Sequence, residues 1–310
     1  MTVTKKVYGL AFVLSLLLSA MGGLLFVEMA TANPIGPGML QQYPVITVNR
    51  DGSVTPQTDL ISQNGTTYTL TGNVTDYGIA IECSDIVFDG DGYTIYLRYG
   101  MNPALLVDTV RNVTIKDVEV LSSDTIWLNN CSYCQITGVK AEGEYIQLRD
   151  GSNYNNISQC NGPIQLGAGS QHNQVFRNNI TFLSISSNAE SNVIYENNFL
   201  RENYIPHLAA GCFWDNGSVG NYWIDYNGTD ANYNGIGDAP YVLNDVNTDH
   251  FPLMYPYDIE NDTLILPIRE PAQETFPTTF AVGASGASAV VVAVCLLAYF
   301  KKHKQLPKNA

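Results

Sequence analysis

Basic side chains are scarce in this sequence. Lys and Arg together number 15 against 29 Asp and Glu, which gives a formal net charge of −14. Binding to nucleic acid depends on a basic surface that neutralises phosphates. The charge balance therefore argues against a nucleic-acid partner.

Helix-forming residues are also few between the two ends of the chain. Glu, Lys and Ala are sparse in residues 33–279, whereas Asn, Thr, Tyr, Gly, Val and Ile are abundant. Branched and aromatic residues favour strands, and Asn and Gly favour turns. The composition predicts an all-β domain there.

Clusters of soft-metal ligands are missing as well. The chain has six cysteines, and Cys131-x-x-Cys134 is followed by no second Cys-x-x-Cys and no His pair. A zinc site needs such further ligands. We interpret these cysteines as buried thiols of a strand core, with a redox or metal half-site as the alternative.

A long apolar run stands at the N-terminus. Residues 7–27 follow Lys5 and Lys6 and precede Ala30-Thr31-Ala32. This order of charge, apolar stretch and small residues is typical of a secretory signal, so residues 1–32 are predicted to be a cleaved signal peptide. The run is also long enough to span a bilayer uncleaved.

A second apolar run covers residues 280–300 and is followed at once by Lys301, Lys302 and Lys304. Its length suits one transmembrane helix, and basic residues mark the cytoplasmic side. We therefore predict a single-pass protein of the cell membrane, with residues 33–279 extracellular and residues 301–310 cytoplasmic. The alternative is a buried core helix.

Two repeats run in step through residues 82–211. An apolar-x-apolar pattern recurs every 18–21 residues, and a polar residue followed by a branched one recurs every 18–27. The first series is Leu105-x-Val107, Ile126-x-Leu128, Ile146-x-Leu148, Ile164-x-Leu166 and Leu183-x-Ile185; the second is Asp85-Ile86, Asn112-Val113, Gln135-Ile136, Asn156-Ile157, Gln174-Val175 and Asn192-Val193. So short a unit buries its apolar face only by stacking on copies of itself.

The repeat predicts a parallel β-helix, a single-stranded solenoid of about six coils. A β-sandwich is the alternative, but it would show strands every 8–12 residues. Residues 33–81 are interpreted as an N-terminal β cap, residues 212–256 as a C-terminal cap rich in Gly, Asn and aromatics, and residues 257–279 as a Pro-containing stalk.

The segment from Trp214-Asp215-Asn216-Gly217 through Asn221-Tyr222-Trp223 and Asn234-Gly235-Ile236-Gly237-Asp238 to Phe251-Pro252-Leu253-Met254 resembles the end motif of NosD-like proteins. These are related to the CASH group, for carbohydrate-binding and sugar-hydrolase repeats. The segment Ile86-Val87-Phe88-Asp89-Gly90-Asp91-Gly92 and the Lys-rich tail are also similar to archaeal members. The resemblance implies a right-handed parallel β-helix at the cell surface.

Named members of that family assist copper loading of nitrous-oxide reductase. This chain lacks the clustered His and Met that soft-metal handling requires. His172, His207 and His250 are isolated in the sequence. The copper role is therefore not carried over.

Calcium is the metal that the sequence suggests. Asp230, Asn232, Asn234 and Asp238 space oxygen ligands as in an EF-hand-type loop with Gly235 at the turn, and Asp225 precedes them. A glutamate at the twelfth position is missing. The alternative is an Asn/Gly turn cluster that hydrogen-bonds its own backbone.

A carbohydrate-binding face is predicted on the outside of the coils. If the Ile-x-Leu pairs point inward, the residues between them point outward. Aromatic rings beside amides suit sugars, which present an apolar face and polar hydroxyls together. The predicted residues are Trp127, Tyr145, Gln147, Arg149 and Gln165.

Catalysis is the weaker alternative. Asp108, Asp124, Glu144 and Asp150 flank the same face but form no recognisable glycosidase motif. We therefore expect an extracellular module, anchored in the membrane, that binds carbohydrate or other cell-envelope and surface-layer components. The alternative is a surface polysaccharide lyase or glycoside hydrolase.

Glycosylation sequons are frequent, and three of them fall in predicted loops. These are Asn64, Asn73 and Asn261, which we expect to be the better acceptors.

Overall fold

A computed structural model describes residues 43–97, 103–122, 125–143, 145–201 and 211–265. The predicted signal peptide, the transmembrane segment 280–300 and the tail lie outside these ranges, as does most of the stalk. Within the described ranges, no helix is long and apolar enough to cross a bilayer.

The described residues form an all-β parallel solenoid of about seven turns. Each turn contributes a strand to each of three columns, and strands within a column pair in parallel. The first column contains β1 (Val45–Val48), β6 (Gly78–Ile81), β9 (Leu105–Asp108), β12 (Ile126–Asn129), β15 (Ile146–Arg149) and the later parts of β17 (Asn161–Leu166) and β19 (Asn179–Ile185).

The second and third columns complete each turn. The second contains β4 (Thr67–Leu70), β7 (Val87–Asp89), β10 (Thr114–Lys116), β13 (Gln135–Thr137), β16 (Asn156–Ser158), β18 (Gln174–Phe176) and β20 (Val193–Tyr195). The third contains β5 (Val74–Thr75), β8 (Thr94–Leu97), β11 (Glu119–Ser122), β14 (Lys140–Gly143), the first parts of β17 and β19, β21 (Asn198–Phe199) and β22 (Tyr222–Trp223).

The first turn lies within the segment interpreted as an N-terminal cap. Strands β1, β4 and β5 pair in parallel with β6, β7 and β8 of the next turn. Two antiparallel strands branch from this turn, β2 (Val54–Thr55) against β1 and β3 (Ile61–Asn64) against β4. The solenoid therefore has one turn more than the six predicted.

The Ile-x-Leu series is confirmed as the inward side of the first column. Ile126, Ile146 and Ile164 are in direct register on adjacent strands and are almost completely buried. Each apolar side chain stacks on its equivalent one turn away, and the intervening residue points outward.

The second series is in register in its middle part. Gln135, Asn156 and Gln174 pair directly. However, Gln174 pairs with Val193, so Asn192 is shifted by one residue. A shift of one residue exchanges the two faces of a strand. Val193 therefore points outward and Asn192 is buried, the reverse of the prediction.

Buried asparagines form two ladders inside the later turns. One connects Asn155, Asn173 and Asn192 by amide-to-amide bonds of 3.1 and 2.9 Å. The other connects Asn178, Asn197 and Asn221, each bond 2.9 Å long, and ends on the Asp249 carboxylate. These ladders satisfy backbone groups that the turns between columns would otherwise bury unpaired.

Aromatic side chains close the C-terminal end. Phe199 stacks on Trp223 at 4.1 Å between ring centroids, and Trp214 packs beside both. The indole N–H of Trp223 donates to Asp249 at 2.9 Å. Two antiparallel hairpins follow, β23 (Tyr241–Asn244) with β24 (Asn247–Asp249) and β25 (Tyr257–Asp258) with β26 (Thr263–Leu264).

Candidate functional site

The outer side of the first column brings together three of the predicted sugar-binding residues. Trp127, Gln147 and Gln165 occupy directly paired positions on β12, β15 and β17. All three are partly exposed, because their strand neighbours fill the core. We call this surface the Trp127 face.

Arg149 covers one side of the Trp127 ring. Its guanidinium carbon lies 3.9 Å from the ring centroid, in the geometry of a cation–π contact. Arg149 comes from the next turn, where it is paired with Asn129. The tryptophan is therefore less open than the sequence suggested, and the exposed surface combines a guanidinium with two amides.

Two polar atoms beneath this contact have no hydrogen-bond partner among the described residues. They are the indole Nε1 of Trp127 and the Oδ1 of Asn129, both buried. The first is a donor and the second an acceptor. A buried polar atom without a partner costs about 1–3 kcal/mol, and a hydroxyl group bound at either atom would relieve that cost.

Tyr145 lies at the edge of the Trp127 face and contacts an aromatic of a later turn. Its ring and that of Phe182 are 5.6 Å apart between centroids, with planes at 68°. Such an edge-to-face pair holds both rings in place. The structure thus places all five predicted sugar-binding residues on or beside one surface.

The acidic residues considered for catalysis are only partly described. Asp108 pairs with Asn129 at the margin of the Trp127 face, and Asp150 is exposed in the turn after β15. Asp124 and Glu144 lie outside the described residues. Within the described part, no three His, Cys, Asp or Glu side chains converge in a way that could hold a metal ion.

The predicted calcium ligands hold the backbone of their own loop. The Asp230 carboxylate accepts from the N–H groups of Asn234 and Gly235 at 3.1 and 2.8 Å. Asp238 accepts from the N–H of Ala231 at 2.8 Å. These bonds are those of the turn-cluster alternative.

The other predicted ligands are similarly engaged. Asn232 and Asn234 each accept a backbone N–H two residues further on. Asp225 accepts from the Tyr241 hydroxyl at 3.0 Å. Carboxylate oxygens have further lone pairs, so the donor set is compatible with a weak cation site.

The predicted glycosylation sites are exposed. Asn64 ends β3 at the tip of a hairpin, Asn73 precedes β5, and Asn261 lies between β25 and β26. The Asn261 amide nitrogen donates to Asp258 at 2.8 Å, whereas the Asn73 side chain accepts from the Thr94 N–H. Asn64 is therefore the least constrained of the three.

Three of the five described cysteines are core thiols, whereas Cys83 and Cys212 are half-buried. Cys131, Cys134 and Cys160 are buried, as predicted. Burial raises the pKa of the Cys160 thiol to about 12, and a hydrogen bond to Cys134 together with burial raises the pKa of Cys131. The same hydrogen bond lowers the pKa of Cys134. Cys131 and Cys160 are therefore held as protonated thiols, which are poor nucleophiles and poor metal ligands.

Sequence reasoning missed an aromatic stack that runs along the outside of three successive turns. The rings of Tyr133, Tyr154 and His172 lie parallel, with centroids 5.3 and 5.0 Å apart. Their spacing of 21 and 18 residues equals the coil length at that point, which is the signal that could have revealed them. Because the rings cover each other's faces, mainly their edges remain exposed.

Comparison with known proteins does not assign this chain to a family. No protein-family model, no curated protein and no solved structure matches this chain.

Proposed function

We propose that this protein is an extracellular carbohydrate-binding module of the NosD-like, right-handed β-helix type, held in the cell membrane by residues 280–300. One observation carries the binding proposal. Trp127, Gln147 and Gln165 stand in register on three adjacent parallel strands and face outward.

The chemistry of this surface suits a saccharide. Side chains along a column repeat at the spacing of adjacent strands, about 4.8 Å. A sugar chain lying along the column would meet an aromatic ring, a guanidinium and two amides in succession. The buried, unpartnered Trp127 Nε1 and Asn129 Oδ1 are one further donor and one further acceptor at this surface.

The proposal is tested by presenting the purified extracellular part, residues 33–265, to a glycan panel. We expect retention of at least one glycan without product formation. Trp127→Leu and Gln147→Ala should each weaken that retention about tenfold or more, which corresponds to roughly 1.4 kcal/mol or more. Gln135→Ala is the matched control, because Gln135 is an exposed amide on the second column.

Two results would decide against this function. Equal retention by wild type and both variants would remove the Trp127 face from the binding site. Release of shortened glycan fragments would instead favour the alternative, a surface polysaccharide lyase or glycoside hydrolase.

A further inference from the structure

An open cleft of about 450 Å³ lies at the C-terminal end of the second column, away from the residues that carry the proposed function. Its walls are formed by outward side chains of β18 and β20 and by the loop that follows Cys212. The residues lining it are Gln174, Val193, Tyr195, Phe213, Asp215, Asn216 and Gly217.

Two outward rows of side chains create the apolar part of the cleft. Val193 pairs with Gln174 on one side and with Phe213 on the other, so these three form one row. The Phe176 and Tyr195 rings form the start of the second row, stacked at 5.3 Å between centroids. Phe213 is 60% exposed, so its ring is open to a ligand.

Several hydrogen bonds hold the loop on the far side of the cleft. Asp215 accepts from the Gly217 N–H at 2.9 Å and from both the backbone and the ring of His250. Asn216 accepts from the N–H groups of Ser218 and Val219. A binding wall that is already ordered loses little conformational entropy when a ligand arrives.

Polar groups at the rim have unused hydrogen-bonding capacity. The Tyr195 hydroxyl donates to the Gln174 Oε1 at 3.3 Å, which leaves the Gln174 NH₂ without a partner among the described residues. The Asn216 NH₂ is in the same situation. Two amide donors and a phenol oxygen around aromatic rings suit a sugar, which needs hydroxyl partners beside an apolar surface.

The charged side chains around the cleft favour uncharged sugars over acidic ones. Asp215 lines the cleft, and the nearby Arg177 is already engaged by Glu196 at 2.7 Å and by Asp262 at 2.8 Å. A uronate or a sulfated sugar would meet a carboxylate, and the two basic side chains nearby, Arg177 and His250, are already bonded to carboxylates of the protein. The cleft therefore favours uncharged sugars.

A second hollow of about 500 Å³ shares Phe213 and Asp215 with the first and extends past Thr248 and His250. Phe213 stands between the two hollows. A ligand of several rings can therefore contact both, with one ring stacked on Phe213.

We infer that this cleft, which we call the Phe213 cleft, is a second binding site, specific for neutral oligosaccharides. It does not depend on the Trp127 face. Affinity should rise from monosaccharide to trisaccharide, because the longer ligand reaches both hollows. Binding should not require a divalent cation.

The test is saturation-transfer NMR and calorimetry on residues 33–265. The probes are neutral glucose, mannose and N-acetylglucosamine oligomers, with galacturonate oligomers for comparison. We expect at least one neutral series to bind, and Phe213→Ser to weaken it about tenfold or more. Gln174→Ala, an exposed change that leaves the core intact, should weaken it severalfold. Val242→Ser should leave it unchanged, since Val242 is a comparably exposed apolar residue outside the cleft.

The result also separates the two sites. Loss of binding in Trp127→Leu but not in Phe213→Ser would overturn this inference while supporting the proposed function. Loss in Phe213→Ser alone would support the Phe213 cleft even if the Trp127 face binds nothing. Equal affinity of wild type, Phe213→Ser and Gln174→Ala, preference for galacturonate oligomers, or no binding of any neutral series would each refute the inference.

Discussion

An asparagine amide carries two donor hydrogens and one acceptor oxygen, and the buried asparagines use both kinds. The Asn178 oxygen accepts the N–H of Cys160, while its nitrogen donates to the Ile157 carbonyl and to Asn197. Each ladder residue thus ties three successive turns together. An apolar side chain of the same size would fill the space but satisfy none of these groups.

We predict that Asn178→Leu destabilises the folded domain by about 2–4 kcal/mol, because it leaves a buried N–H and a neighbouring amide without partners. Gln135→Leu should change the free energy of unfolding by less than about 0.5 kcal/mol, since Gln135 is exposed. Denaturant titration of the two variants measures the difference. Equal midpoints would mean that the ladder adds no stability.

Asp249 terminates one asparagine ladder inside the protein. Its carboxylate accepts from the Asn221 and Phe251 N–H groups and from the Trp223 indole. Burial nevertheless raises the pKa of Asp249 to about 6, although these hydrogen bonds act in the opposite direction. Gly220 lies so close that a Cβ there would overlap the carboxylate.

A pH dependence follows from this raised pKa. The folded state binds the Asp249 proton more tightly than the unfolded state, in which the pKa is near 3.8. The stability from this proton is therefore fully present below about pH 4 and is lost as the pH rises through about 6, by roughly 3 kcal/mol. Asp249→Asn should remove this part of the pH profile in denaturant titrations. Parallel profiles for variant and wild type would contradict the assignment.

At the scale of strands, the sequence predicts the first column better than the second. Ile-x-Leu pairs are buried wherever they occur in this fold, so their spacing reveals the register directly. Asparagine is ambiguous: Asn192 is buried in a ladder, whereas Asn112 lies exposed in a turn with φ of 53°. Whether an asparagine is buried in a ladder or exposed in a turn depends on the residue one turn away.

The sequence also predicts the candidate sites only in part. The Trp127 face follows from alternation along β12 and β15, so its residues could be named in advance. Its contact with Arg149 and the Phe213 cleft could not, because they arise from side chains brought together by coil geometry and by the C-terminal loop. Local patterns carry no information about such packing.

The loop from Asp225 to Asp238 is the predicted calcium site, and its response to calcium can be measured. Its hydrogen bonds hold it without an ion, so any affinity rests on two or three carboxylates and should lie roughly at 10⁻⁴ to 10⁻³ M. We predict that millimolar calcium raises the melting temperature, with a smaller effect of magnesium and none in Asp238→Asn. Hydrogen exchange in residues 190–240 measures whether calcium also stabilises this part of the fold. Unchanged protection from exchange at millimolar calcium would mean that the loop is only a turn cluster and binds no calcium.

At the scale of the whole chain, the placement at the membrane is a sequence-based prediction. Residues 280–300 form an uncharged run before a lysine cluster. We predict that deleting residues 280–310 releases the extracellular domain into the medium, since one apolar helix is the proposed anchor. Fractionation of cells expressing both forms measures this. Retention of the shortened protein in membranes would show that the N-terminal segment also anchors it.

The two ends of the solenoid need protection, because an open end exposes unpaired strand edges to another chain. At the N-terminal end, antiparallel strands β2 and β3 lie against the first turn. At the other end, β22 pairs with β21, Phe213 bridges to Val193, and Leu253 bridges to Tyr222. Trp214 and Trp223 cover the apolar interior there and are each only 1% exposed.

We therefore predict that a chain ending at Arg201 keeps strand structure but self-associates, whereas a chain ending at Ile265 stays monomeric. The shorter chain would expose the edges of β20 and β21, which lose Phe213 and β22, and the ring of Phe199, on which Trp223 normally stacks. Light scattering after size exclusion, over a range of concentrations, measures association, and circular dichroism confirms that strands remain.

Two neighbouring positions of β20 provide variants of the shorter chain. Ile194→Lys should unfold it, because Ile194 is buried. Val193→Lys, on the outward face, should instead reduce association. A folded, monomeric chain ending at Arg201 would show that residues 212–265 are not needed to close the solenoid.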